Sequence, residues 1–416
     1  MPVANQTNTI STTTLDCGAL LLVESIPSVA SVAMNWMLPV GSASDSAETD
    51  GYAALLSELL FRGAGDLSSR EHSEALDCLG VQRDSDVATH FMHLRMTLLG
   101  DRLDDTLPLA TSMLLAPTMP DAAMEPVRSL ALQSLESLDD DPQHQVMLHL
   151  RHRHQPPPLN RNGYGERAVL ERASLSDLRQ AWKQRCTAGG SILCAAGDVD
   201  ANHLAGRLNE LLAGWGGQHT PAEATGPAAR GKAHLSQDTA QVHIALAYDA
   251  PAEREEHSML ERLATRVLSG STSGRLFTEV RQKRSLCYSV GASYRAGKNA
   301  GHVSLYAGTT PERAQQTLDV CRAEIERMRE GVEPDEFHRA VIGLKSQLVM
   351  SGESTAARAG ALGHDQFRLG RTRTLDEITA AIDAITLDDL NAYLATRDFA
   401  GDEGYTMACI GPIELA

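Results

Sequence analysis

Between residues 31 and 38 the chain reads SVAMNWML, with Val32, Met34, Trp36 and Leu38 on alternate positions. At 241–248 it reads QVHIALAY, with Val242, Ile244, Leu246 and Tyr248 in the same rhythm. A period of two over such a length predicts strands half-buried on a sheet. Each is followed by a polar turn and then by apolar residues at helical spacing, ETDGYAALLSELLFRG in the first half and EREEHSMLERLATRVLSG in the second. Both helices should stop at a glycine, Gly63 and Gly270, which stand 207 positions apart.

The correspondence extends to the ends of the halves. SLSDL at 174–178 matches TLDDL at 386–390, a spacing of 212, each with a Ser or Thr placed to cap a helix. SILCAAGD at 191–198 and YTMACIGP at 405–412 read as closing strands. Offsets that drift only from 207 to 214 indicate one αβ unit present twice. The stretch 216–236, rich in Gly, Pro, Ala and Thr and without an apolar period, reads as the connection. The expectation is an α+β chain of two homologous lobes, each a mostly antiparallel sheet packed by helices on one face. The lobes are expected at 1–217 and 234–416, with a linker at 218–233. A length of 416 residues supports two cores of that size. In the second half Leu318, Cys321, Ile325 and Met328 recur at helical spacing and should belong to its core.

Composition narrows the function. A formal charge of −17 argues against a general nucleic-acid binder, which needs a concentrated basic surface. No apolar run reaches the roughly 18 residues of a membrane span. The first forty residues carry no Lys or Arg, unlike a secretory or mitochondrial leader, so a cytoplasmic location is expected. Seven cysteines with no C-x-x-C pair read as scattered thiols in a reducing compartment. His144, His149, His152 and His154 cluster before a proline run but lack accompanying carboxylates or thiols, and read as a solvated face.

Four stretches carry a resemblance that covers nearly the whole chain: LDCGALLLVES, LPVGSASDSAETDGYAALLSELLFRG, LESLDDDP and SGRLFTEVRQKRSLCYSVGASY. In order and spacing they resemble the pitrilysin and insulinase zinc peptidases, in the branch of the mitochondrial processing peptidases and their short bacterial relatives. Such peptidases carry H-x-x-E-H on the first helix, two histidines for zinc and a Glu to activate water. Laid on this chain, the first His falls on Ala54, the Glu on Ser57 and the second His on Glu58. The family's further Glu ligand, on a later helix ahead of the Asp141-Pro142 step, falls on Ser134. Ser134 shares a helical stripe with Val127, Ala131 and Leu138 and is expected to point inward. The repeat-equivalent positions in the second half are Glu261, Ala264 and Thr265. No metal is therefore expected in this chain.

The resemblance also implies a second constellation, an Arg and a Tyr seven positions apart in the other lobe, matched by Arg281 and Tyr288. A Tyr hydroxyl can donate to the oxyanion of a tetrahedral intermediate, and an Arg can hold a substrate carbonyl through its forked donors. The repeat-equivalent residues in the first half are Glu74 and Val81, so the fold alone does not demand the pair. Gly270 and Gly274, in LSGSTSGRLF, fall where zinc-less subunits of the family often use a Gly-rich loop for substrate. What the resemblance implies is the zinc-less subunit of a heteromeric metallopeptidase. Its partner would be a homologous zinc-binding subunit and its substrate an extended peptide. A structural, chaperone-like or peptide-binding scaffold of the same fold is the alternative.

Overall fold

The computed structural model describes residues 8–400 and 404–416. They form two compact units. One takes the chain through Ser137 together with Pro157–Gly226 and Gly352–Gln366, and the other takes Leu138–Pro156, Pro227–Ser351 and Phe367–Ala416.

The first unit contains strands β1 (Thr9–Thr14), β2 (Leu20–Ser25) and β3 (Ser31–Leu38), a short hairpin β4 (Gly63–Ala64) and β5 (Leu67–Ser68), then β6 (Gln82–Val87), β7 (Met92–Leu99) and β8 (Ile192–Gly197). Its main sheet has the order β1-β2-β8-β3-β7-β6 and is antiparallel except between β2 and β8. The second unit contains β9 (Lys232–Ser236), β10 (Val242–Ala250), β11 (Cys287–Ala296), β12 (Gly301–Thr309) and β13 (Thr406–Gly411). Its order is β9-β13-β10-β12-β11, antiparallel except between β9 and β13. Strand for strand, β2-β8-β3-β7-β6 and β9-β13-β10-β12-β11 share order and sense. The duplication read from the sequence is thus a duplicated topology.

Val32, Met34, Trp36 and Leu38 join Leu55, Leu56, Leu59 and Leu60 of the first helix, Tyr52–Leu59 and its continuation, in one apolar core. Val242, Ile244, Leu246 and Tyr248 do the same in the second unit with Leu263, Val267 and Leu268 of the helix Ser258–Ser269. The half-buried pattern expected for these strands does not hold, because the opposite face is covered too. In the first unit residues 355–366 of the helix Thr355–Leu369 lie on that face, so closely that a Cβ on Gly363 would meet Met37 Sδ at 2.3 Å. In the second, Val146 and Leu150 of the helix Pro142–His154 pack on Ala245, Ala247, Ala408 and Ile410.

Polar side chains on these second faces are paired, as burial requires. Arg358 donates through Nε to Glu24 at 2.7 Å, with both side chains almost fully buried. His93 Nδ1 lies 3.0 Å from Asn35 Oδ1, and burial holds the imidazole down at about 4, so it stays neutral. Among the described residues no helix is long and apolar enough to cross a membrane.

Candidate functional site

The helix Tyr52–Leu59 begins at Gly51, whose φ of +108° suits only glycine and whose Cα faces Gly165 too closely for a side chain. Its first turn has no side-chain cap of its own. Instead Asp45, from the preceding loop, accepts from the Gly51 and Ala53 amides at 3.1 and 3.3 Å. Arg185 donates to the same carboxylate at 2.5 Å. Burial raises the Asp45 carboxyl above the usual carboxylate range even though Arg185 and the two amides oppose that. The helix is therefore seated where the sequence requires, whatever its side chains do next.

Those side chains do not fit a zinc ion. Ala54 has no donor atom. Ser57 is buried, and its hydroxyl lies 2.6 Å from that of Ser85 on β6. Glu58 is exposed and lies 3.9 Å from Arg62 one turn on. The orientation expected for Ser134 does not hold: it is exposed, and its hydroxyl donates back to the Leu130 carbonyl at 2.9 Å. The cause is the helix Met124–Asp139, which buries only Met124 and Val127 and leaves its later turns partly covered. Among the described residues no group of three or more His, Cys, Asp or Glu is arranged to hold a metal.

At the repeat-equivalent positions the second unit buries polar side chains. Glu261 is fully buried; its carboxylate takes the Tyr393 hydroxyl and lies 3.4 Å from Arg397 Nε. Burial raises its carboxyl, opposed by Arg397 and the tyrosine hydroxyls. Thr265, one turn on, is buried as well.

Arg281 and Tyr288 are brought together by three consecutive irregularities. Residues Phe277–Gln282 are wound as a π-helix, with the Lys283 amide bonding the Thr278 carbonyl at 2.9 Å. Ser285 then takes a left-handed φ of +51°, which few residues other than glycine adopt. Finally β11 bulges: Cys287 faces Thr309 and Ser289 faces Gly308, so Tyr288 is the extra residue between them. π-turns and β-bulges gather at functional sites because they re-aim a side chain. Here the bulge leaves Tyr288 81% exposed, at the edge of its sheet. Arg281 Cζ sits 4.8 Å from the Tyr288 ring centroid and 4.8 Å from that of Phe277. The described residues give Arg281 no ion pair. By contrast Glu74 lies in a regular helix paired with Arg70, and Val81 is core.

Sequence reasoning named the Arg and the Tyr but missed Phe277, although it stands four residues before Arg281 on a helix, the spacing at which side chains meet. Gly270 and Gly274 flank the loop between the helix Ser258–Ser269 and the π-turn. Arg275 anchors the loop's far end, donating to Glu336 at 2.8 and 2.7 Å and to the Gly331 carbonyl at 2.8 Å. Ser271 and Ser273 bond each other at 2.8 Å. Of the histidine cluster, His149 and His152 are exposed as expected, but His154 is buried and bonded to Thr406 and Arg230, each at 2.9 Å. The reason is that the helix Pro142–His154 ends against β13.

Comparison with known proteins gives a consistent setting. The family model described as Insulinase (Peptidase family M16) matches residues 20–156, and that described as Peptidase M16 inactive domain matches residues 172–344. An uncharacterized zinc protease of Streptomyces coelicolor is 27% identical over 98% of this chain and 90% of its own. A crystal structure of a peptidase M16 inactive domain from Pseudomonas fluorescens superposes with a TM-score of 0.86 at 19% identity, over 98% of both chains. A chain of complex III2 from Candida albicans gives 0.81 at 17% identity, over 98% of this chain and 97% of that one. At these identities the two structures speak to the fold alone.

Proposed function

Because this chain belongs to the insulinase, or M16, family of peptidases, we propose that it is the zinc-less subunit of a heteromeric metallopeptidase acting on extended peptides. The observation that carries the reading is the contrast between the two constellations. The positions that would hold zinc carry Ala54, Ser57, Glu58 and Ser134, tied into other contacts or without a donor atom. Arg281 and Tyr288 keep their identities, stand exposed or half-exposed, and lie against each other.

In this reading a homologous subunit with an intact H-x-x-E-H supplies the metal and the attacking water. This chain supplies hydrogen-bond donors. The Tyr288 hydroxyl donates to the oxygen of the scissile carbonyl as negative charge develops on it. Arg281 donates to a substrate backbone carbonyl, and its planar fork suits it better than a lysine would. The peptide is held in extended form along a sheet edge of the partner. Absence of any spanning helix among the described residues fits a protein that meets its substrate in water; a cytoplasmic location is part of the proposal.

The experiment is reconstitution. The purified chain alone should be inactive, and mixing it with a zinc-bearing homologue should yield peptide cleavage. The alternative, a structural or peptide-binding scaffold, draws on the likeness of fold to a chain of the Candida complex. Under it the mixture shows no activity that depends on Arg281 or Tyr288.

A further inference from the structure

The second unit has a small cleft of about 80 Å³ between the loop 270–274 and the helix Pro334–Gly352. Two arginines line it, Arg266 from the end of the helix Ser258–Ser269 and Arg339 from the helix opposite. Arg266 is seated by glycines. A Cβ on Gly270 would meet its Cγ at 2.2 Å, and one on Gly343 would meet its Nε at 2.6 Å, so any side chain at either position would displace it. Its Nη1 donates to the Gln347 amide oxygen at 2.9 Å, a neutral partner. Arg339 is exposed and, like Arg266, has no carboxylate partner among the described residues. The acidic residue in the lining, Glu336, is already neutralised by its two-point bond to Arg275. In a chain of net charge −17 the cleft thus holds two positive charges with no counter-charge of their own. Around them are the hydroxyl-bearing residues Ser271 and Ser273 and little other side-chain bulk.

Two guanidinium groups lining one concave space beside glycines suit the planar, two-oxygen geometry of a carboxylate. We propose that this cleft is a carboxylate-recognition subsite, which selects peptides carrying an acidic side chain or a free C-terminal carboxylate. The choice of a peptide as ligand rests on the function proposed above; the recognition of a carboxylate does not.

The test is equilibrium binding of labelled peptides to the full chain alone, with no partner subunit. Three peptides of equal length are compared: one with an internal Glu and an amidated end, one with no acidic residue and a free C-terminus, and one neutral with Gln and an amidated end. At low salt at least one acidic peptide should bind about tenfold or more tightly than the neutral one, as expected for a charge-assisted bond. Which of the two does so identifies the source of the carboxylate. Arg339→Gln, a substitution of an exposed residue, should remove most of the preference, and Arg266→Gln should remove it as well. Arg70→Gln, on the first unit, should leave it unchanged. Equal binding of all three peptides, binding of none, or a preference that survives Arg339→Gln overturns the proposal. Because no cleavage is measured, these outcomes stand apart from success or failure of the reconstitution.

Discussion

The guanidinium carbon of Arg281 lies 4.8 Å from the centre of the Tyr288 ring, across a π-turn and a β-bulge that together hold both side chains at the surface. A stack of this kind orients an arginine without using its N–H donors. Tyr288, at 81% exposure, contributes little to the core. Function and stability can therefore be separated by mutation here.

Tyr288→Phe keeps the ring under Arg281 and removes only the hydroxyl. In the reconstituted enzyme it should lower kcat by about 10²-fold with KM little changed, the usual loss of one oxyanion donor. Thermal unfolding of the isolated chain should not move. Arg281→Lys should fail as well, through KM and kcat together, because an ammonium neither stacks nor forks. Full activity of the Tyr288→Phe mixture would sink the mechanism.

Asp45 and Arg185 make the opposite kind of pair, buried and structural. The Asp45 side chain is 1% exposed and Arg185 13%, and the carboxylate also carries the first amides of the helix Tyr52–Leu59. Arg185→Met strands that carboxylate, and breaking a buried pair from one side costs about 3–5 kcal/mol. The loss should shrink as pH falls, because burial raises the Asp45 carboxyl and a protonated Asp45 no longer needs a charged partner. Urea midpoints at pH 4 and pH 8 check this; an equal loss at both would show that Arg185 acts through packing alone.

Asp50, in the same loop, gives a pH dependence with a defined sign. Burial pushes its carboxyl from 3.8 to about 6, with Arg161 opposing and Asp45 adding to the rise. The folded chain then holds a proton that the unfolded chain has lost, so this group's contribution falls as pH rises between those values. One of its oxygens is buried without a hydrogen-bond partner. Asp50→Asn, which mimics the protonated form, should match the wild type below about pH 4 and exceed it in denaturant midpoint at pH 8. A variant that is weaker at pH 8 would mean that attraction to Arg161, 3.4 Å away, outweighs the burial.

How far the sequence carried depends on which face of each element it reports. Val32, Met34, Trp36 and Leu38 announced a strand because large apolar residues alternate, and the first core follows from them. The second face was quieter, since beside Met37 and Ile410 it carries Ala33, Ala245 and Ala247 and the polar pair Asn35–His93. Small and paired polar residues do not look buried in a one-dimensional pattern, so the helices that cover them were not foreseen. Glu261 was hidden for the same reason, as its partners Tyr393 and Arg397 lie over a hundred positions away. The bulge at Tyr288 and the left-handed Ser285 leave no compositional trace at all, since neither position carries a glycine.

The seat of the first helix also predicts what installing a metal site on it should do. Asp45, Arg185 and Gly51 fix its start independently of residues 54, 57 and 58, so substitutions at those three positions should leave the helix in place. Ala54→His with Glu58→His sets two imidazoles at i and i+4 on one face. Ser57→Glu must also displace the 2.6 Å contact with Ser85, so Ser85→Ala should accompany it. This set should bind zinc weakly, by competition with a chelating dye. Adding Ser134→Glu should tighten binding by about tenfold or more, because each added ligand contributes to the affinity. Ser134 is exposed, so its substitution should cost little stability, and the comparison isolates geometry. If the fourth substitution leaves zinc affinity unchanged, position 134 does not face positions 54 and 58 in the folded chain, and the likeness to a zinc site ends at the first helix.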